Sequence, residues 1–277
     1  MPPQACRANA EHLMNASLVE VINQLETLGR YKVLVEELRR LDTPEMSFVF
    51  EALFANCLES SGIPLDYEVN VNANNNSSVD FCFQKREYGK FCFELLRPEM
   101  KDELKKEFET IDDQGFYGIS LSRDHEKEYL RPEAQTIYLQ EKLLEKVDKF
   151  PALQETDCYS TIVVDCSNIH FGHFDEEDCR MVMFGRTANP INQEEWLHHG
   201  KKHNILGLLE HGLKKRNAKA FREKVTSVIF IPEISLTLLK DAYVALNIHR
   251  VDSHQRRFKN TLLNMSPFQN LHWIEMP

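Results

Sequence analysis

The chain is poor in the residues that build nucleotide loops and stacking platforms: ten Gly and two Trp in 277 residues. It has no Gly-rich phosphate loop ending in Lys-Ser/Thr, no G-x-G-x-x-G after a strand, no G-x-S-x-G elbow and no H-E-x-x-H, which removes the usual support for P-loop hydrolysis, nicotinamide chemistry, serine hydrolysis and zincin-type proteolysis. No apolar run approaches the roughly 18 residues of a membrane span, and the opening MPPQACRANAEHLMN contains no apolar stretch of signal-peptide length. The expectation is a soluble, cytoplasmic protein that does not engage a membrane. The Asn-x-Ser matches at Asn15, Asn75 and Asn76 then have no chemical consequence. Seven cysteines, with no C-x-x-C pair, read as reduced core residues rather than a zinc ribbon or a disulfide framework.

What the chain does have is phenylalanine, seventeen of them, an ordinary 42% hydrophobic content, and a formal charge of −10 that is unevenly spread. Lys and Arg outnumber Asp and Glu by 13 to 6 from Leu197 onward, whereas acids dominate before it. Lys214, Lys215, Arg216, Lys219 and Arg222, in a predicted basic helix from Ile205 to Arg222, form a candidate nucleic-acid-binding face, because attraction to phosphate is decided locally.

Periodicity divides the chain into three parts. Residues 1–43 carry helical spacing interrupted at Gly29, an N-terminal helical extension. Asp42-Thr-Pro-Glu45 then signals a helix start, and Met46, Val49, Phe50, Leu53, Phe54, Cys57 and Leu58 follow the i, i+3, i+4 rule to about Ser60. Beyond Gly62 the period falls to two. Tyr67, Val69 and Val71 alternate, and strands Val79 to Phe83 and Phe91 to Leu95 flank a turn, predicting an antiparallel meander. A helix over Glu133 to Lys149 and a buried strand Ser160 to Asp165 complete a core at 44–170. Residues 171–277 form a C-terminal α/β elaboration with the basic segment and a strand at Val225 to Ile231.

Strand alternation places Asp80 and Cys82 on one face with Cys92, Glu94 and Leu96. Two carboxylates on a face that also carries thiols and a leucine are costly unless hydrogen-bonded, paired or bound to a cation, and a hard divalent metal is one remedy. Glu51, at the margin of its helix's apolar stripe, can reach the same place.

These residues resemble the core of the PD-(D/E)XK, or restriction-endonuclease-like, nuclease superfamily: Phe48-Val-Phe-Glu51 on a helix, Ser77-Ser-Val-Asp80-Phe and Phe91-Cys-Phe-Glu94-Leu-Leu on the meander, then a helix and a buried strand. The resemblance implies a mixed β-sheet flanked by helices and a divalent-metal-dependent nuclease, in which Asp80, Glu94 and Glu51 hold Mg²⁺ or Mn²⁺ and phosphodiesters are hydrolysed. The superfamily lysine two residues after the strand glutamate is replaced by Leu96. Some members recruit a basic or polar residue from the following helix, and Gln140, on an inward face with Ile137, Leu144 and Val147, is the candidate here; Lys142 and Lys146 are assigned to other faces. The alternative is a catalytically inactive nuclease-fold domain serving as a binding or assembly module, with a protein partner or a second copy of itself. His170-x-x-His173-x-Asp175 and His198, His199 and His203 supply further ligand types that suit a transition metal.

Overall fold

A computed structural model describes residues 17–40, 45–71, 78–99, 132–151, 158–168, 174–185, 205–250 and 252–274. Helical residues 17–28 (α1) lead through Gly29, whose φ of 72° needs a residue without a Cβ, into α2, Lys32–Arg40. Next comes α3, Met46–Glu59. Leu25, Tyr31 and Leu34 of this hairpin are fully buried in the same cluster as Phe50 and Phe54 of α3. Glu59 ties the two together, accepting hydrogen bonds from Arg30, the Tyr31 hydroxyl and the Leu65 amide. Because α3 lies between this hairpin and the sheet, Ala52 and Ala55 are buried besides the expected stripe.

Seven strands make one mixed sheet in sequential order. They are β1 Asp66–Val69, β2 Val79–Lys85, β3 Gly89–Leu96, β4 Cys158–Asp165, β5 Ser227–Ile231, β6 Tyr243–Leu246 and β7 His272–Ile274. The first three form the antiparallel meander, β3 and β4 and then β4 and β5 run parallel, β6 is antiparallel to β5, and β7 is parallel to β6. The parallel centre is buried on both faces, as its continuous apolar sequence requires: every residue of β4 and β5 is buried.

Four further helices flank the sheet: α4 Pro132–Lys146, α5 Glu176–Phe184, α6 Ala218–Lys224 and α7 Asp252–Leu263. One face packs Phe81, Phe91 and Phe93 against α1, α2, α3 and α7. Phe54 meets Phe93 edge-on with centroids 5.3 Å apart, a geometry worth about 0.5–1.5 kcal/mol beyond its buried area. The other face packs Cys82, Cys92 and Leu96 against α4, α5 and α6. All six cysteines among the described residues are free thiols, and five of them are buried.

Three local readings need correction. Glu68 has φ 52°, so β1 kinks: Tyr67 joins the α3 face while Val69 joins the α4 face with its partner Val79. Strict alternation through Tyr67–Val69 and Val79–Phe81 therefore fails. The basic stretch from Ile205 is a series of turns before α6, which is helical only from Ala218 to Lys224. Ile137 is exposed, and the inward face of α4 is built from Leu139, Leu143, Leu144 and, in the turn after it, Val147. Asp42, Thr43 and Pro44 lie outside the described residues, as do His170, His173, His198, His199 and His203. Asp175 is described, and it caps α5 through the Glu177 and Asp178 amides.

No helix among the described residues is long and apolar enough to cross a membrane.

Candidate active site

The β2–β3 ladder ends at Phe81↔Phe93. One residue further, Asp80 and Glu94 face each other where the strands part. Asp80 fills the opening: its Oδ2 accepts the Leu95 amide at 2.6 Å, replacing a ladder hydrogen bond. Glu94 stays within the sheet because β3 continues beside β4, with Glu94 opposite Ile162. Its side chain is fully buried, whereas that of Asp80 is 19% exposed.

The positive charge arrives from the helix that follows. Lys146, the last residue of α4, and Lys149, in the 3₁₀ turn Val147–Lys149, both reach Glu94 Oε1, at 2.7 and 2.6 Å. Residues three apart are eclipsed in a 3₁₀ turn, and the turn is anchored by fully buried Val147 and Phe150. Lys149 Nζ also lies 3.8 Å from Asp80 Oδ1. The two lysine side chains are 27% and 30% exposed, so the cluster communicates with solvent. Glu94 Oε2 is buried and has no hydrogen-bond partner among the described residues.

Glu51 comes from α3, in the opposite helical layer, and accepts the Tyr67 hydroxyl at 2.8 Å. Burial, then the charge of Asp80, pushes its carboxyl up to about 7, with Glu94 adding to the shift and the Tyr67 hydrogen bond opposing it. Burial also raises Glu94, helped by Asp80 and opposed by Lys146 and Lys149, and raises Asp80 against the pull of Lys149 and the Leu95 amide. For Lys149 burial works the other way, yet Asp80 and Glu94 outweigh it and hold the ammonium above its usual value. Three acids and two lysines thus form one electrostatic unit.

Gln140 does not belong to it. The residue is inward and buried, but its Nε2 donates to the Val182 and Leu206 carbonyls, at 3.1 and 2.9 Å, and so fastens α4 to α5 and to the returning chain. Leu96 is buried in the α4-side core and offers no polar atom. Lys146, assigned by the sequence to another face, points at Glu94. A signal for it was present: Lys146 stands seven residues after Leu139 and three after Leu143, both buried, which is one helical face. Lys149 had no comparable signal.

The five basic residues near α6 are divided. Lys215 pairs with Glu141 at 3.0 Å and Arg222 donates to the Leu208 and Glu210 carbonyls. Lys214, Arg216 and Lys219 are exposed, and Lys219 has Glu223 3.6 Å away, one helical turn on.

Among the described residues no group of three or more His, Cys, Asp or Glu side chains is arranged to hold a metal ion. Mg²⁺, however, commonly takes only one or two protein carboxylates and fills its other positions with water and phosphate oxygens. Asp80 Oδ1 and Glu94 Oε2 fit that role: both belong to carboxylates facing each other across the parted strands, and the second is an orphaned buried oxygen. Comparison with protein-family models, with curated proteins and with solved structures finds no match.

Proposed function

We propose that the cluster hydrolyses phosphodiester bonds with the help of a divalent cation, on a sheet of restriction-endonuclease-like type. The observation that carries this reading is the pair Lys146 and Lys149 converging on Glu94 beside Asp80. They supply, from the following helix, the cationic group for which Leu96 leaves no place.

Asp80 and Glu94 are the residues that would hold Mg²⁺ or Mn²⁺, which when bound supplies charge stabilisation and an activated water. Lys146 and Lys149 neutralise Glu94 in the resting protein; an incoming phosphate offers them anionic oxygens as well, so they can transfer their hydrogen bonds and stabilise negative charge on the phosphoryl group. Glu51, poised at about 7, can take up a proton near neutral pH, and the Tyr67 hydroxyl fixes its orientation. The exposed cations Lys214, Arg216 and Lys219 are the part of the basic face left to attract a nucleic-acid backbone.

A second reading is favoured by one observation: both lysines already satisfy Glu94 Oε1, as they would in a purely structural ion-pair cluster within a binding or assembly module. The experiment is cleavage of single- and double-stranded DNA and RNA with Mg²⁺ or Mn²⁺, alongside calorimetric Mn²⁺ titration. Cleavage lost in both Glu94→Gln and Lys149→Met, with Mn²⁺ binding lost in Asp80→Asn, supports the enzyme. A protein that neither cuts nor binds Mn²⁺ at about millimolar concentration, a weak interaction of roughly 4 kcal/mol, is the module.

A further inference from the structure

A groove lies at the opposite edge of the sheet from the carboxylate cluster. Its volume is about 290 Å³, and its lining includes Phe184, Ile248, Asp252, Arg256, Lys259 and Trp273. Asp252, Arg256 and Lys259 share one face of α7 at i, i+4 and i+7 spacing, while Phe258 and Leu262 hold the other face in the core. Lys259 Nζ sits 4.7 Å from the Trp273 ring centroid, and the buried indole Nε1 has no acceptor among the described residues. Ile248 is 38% exposed. β7, which carries Trp273, is four strands from β3, so the groove lies roughly 19 Å from the carboxylates at the usual strand spacing and is independent of them.

A flat aromatic wall, an exposed aliphatic residue and two cations on one helix face constitute the recognition chemistry of a ring attached to an anion. Stacking needs the indole face, and phosphate needs the guanidinium and ammonium. The volume of about 290 Å³ sits at the low end of small-molecule sites, roughly 300–1,000 Å³, and suits one nucleotide unit better than a dinucleotide. Asp252 adds a single acceptor, compatible with the amino group of a base edge and unfavourable to a multiply charged phosphate chain.

We propose that this groove binds a nucleotide unit, its base against Trp273 and its phosphate held by Arg256 and Lys259. The base takes the place of the Lys259 ammonium over the indole, and the ammonium turns to the phosphate. The unit is either a free mononucleotide or one residue of a single strand.

The chain has two tryptophans, so the Trp196→Phe variant reports Trp273 fluorescence alone. It is titrated in EDTA with adenosine 5′-monophosphate, with a five-residue deoxyadenosine strand and with ribose 5-phosphate. Saturable quenching by the monophosphate or the strand is expected, with ribose 5-phosphate at least tenfold weaker. The tighter of the first two identifies the source. Arg256→Gln and Lys259→Gln should each weaken binding about tenfold, equivalent to 1.4 kcal/mol, whereas Asp80→Asn should leave it unchanged. No saturable quenching below about 1 mM, ribose 5-phosphate binding as well as the nucleotide, or indifference to both α7 substitutions overturns the proposal. Because both α7 positions are on the outer helix face, these variants test the proposal without touching the core.

Discussion

Replacing Glu51 with Gln should stabilise the protein, and by an amount that depends on pH. The Glu51 carboxyl is displaced from an ordinary 4.5 to about 7 by burial and by Asp80 and Glu94. The folded protein therefore binds a proton at this site more tightly than the unfolded chain does. Between those two values the native state holds the extra proton, so the contribution of Glu51 to stability falls as pH rises from about 4.5 through about 7 and is flat beyond. Each unit is worth 1.36 kcal/mol, so the full penalty above neutrality is about 3 kcal/mol, reduced toward roughly 2 because the residue retains some contact with water. Gln removes the charge and keeps an oxygen for the Tyr67 hydroxyl. Urea unfolding of the two proteins from pH 4 to 8.5 measures the difference directly. It should be near zero at the acid end, rise with a midpoint between pH 5 and 7, and plateau at about 2–3 kcal/mol, or a melting shift on the order of 5 °C for a chain of this size. A difference that is flat across this range, or a variant less stable than the parent at pH 8, refutes the placement of Glu51 beside the other acids.

Lys149→Met should leave Glu94 with a single cation and push both Asp80 and Glu94 further upward, lowering stability at pH 8 by about 1–3 kcal/mol and less at pH 5; denaturant titration at the two pH values checks the sign. Gln140→Leu should cost about 2–4 kcal/mol by orphaning the Val182 and Leu206 carbonyls, while Mn²⁺ affinity at 20 °C stays within twofold, since Gln140 lies outside the carboxylate cluster. Arg97→Met should destabilise by about 3–5 kcal/mol, because Asp165, fully buried and bonded to Arg97 and the Ser167 amide, then keeps an uncompensated charge; the Arg97→Met/Asp165→Asn double variant should recover part of that loss.

The pairing of residues 80 and 94 was legible from sequence because hairpin pairing is local: with a short turn between β2 and β3, the register of Phe81 with Phe93 sets them opposite each other, even though alternation itself breaks between Val79 and Phe81. The α4 contribution was not legible in the same way. A wheel centred on Ile137 and Leu144 misplaced Lys146, since Ile137 faces solvent, and an α-helical wheel cannot place Lys149 once the chain tightens into a 3₁₀ turn. Gln140 was correctly read as inward, but its partners are carbonyls 42 and 66 residues downstream, a separation over which composition and spacing carry no information. The kink at Glu68 likewise has no signature, as nothing in a glutamate announces a positive φ. β6 and β7 went unread because the sheet's far edge is built from strands of four and three residues, too short for a period to register.

The crossing at Gly185 and Gly207 has a consequence for engineering. Gly185 bridges Leu206, and a Cβ on Gly185 would lie 2.6 Å from the Gly207 nitrogen, one on Gly207 2.3 Å from the Gly185 nitrogen. Bonds from the Leu208 amide to the Val182 carbonyl and from the Leu209 amide to the Met183 carbonyl fasten the returning segment to the end of α5. Residues 185 and 206 are thus held side by side at a pinched neck directly after α5. Ends held this close are within reach of a turn of two to five residues, so the spacing of the neck sets how they can be joined, provided both glycines are kept.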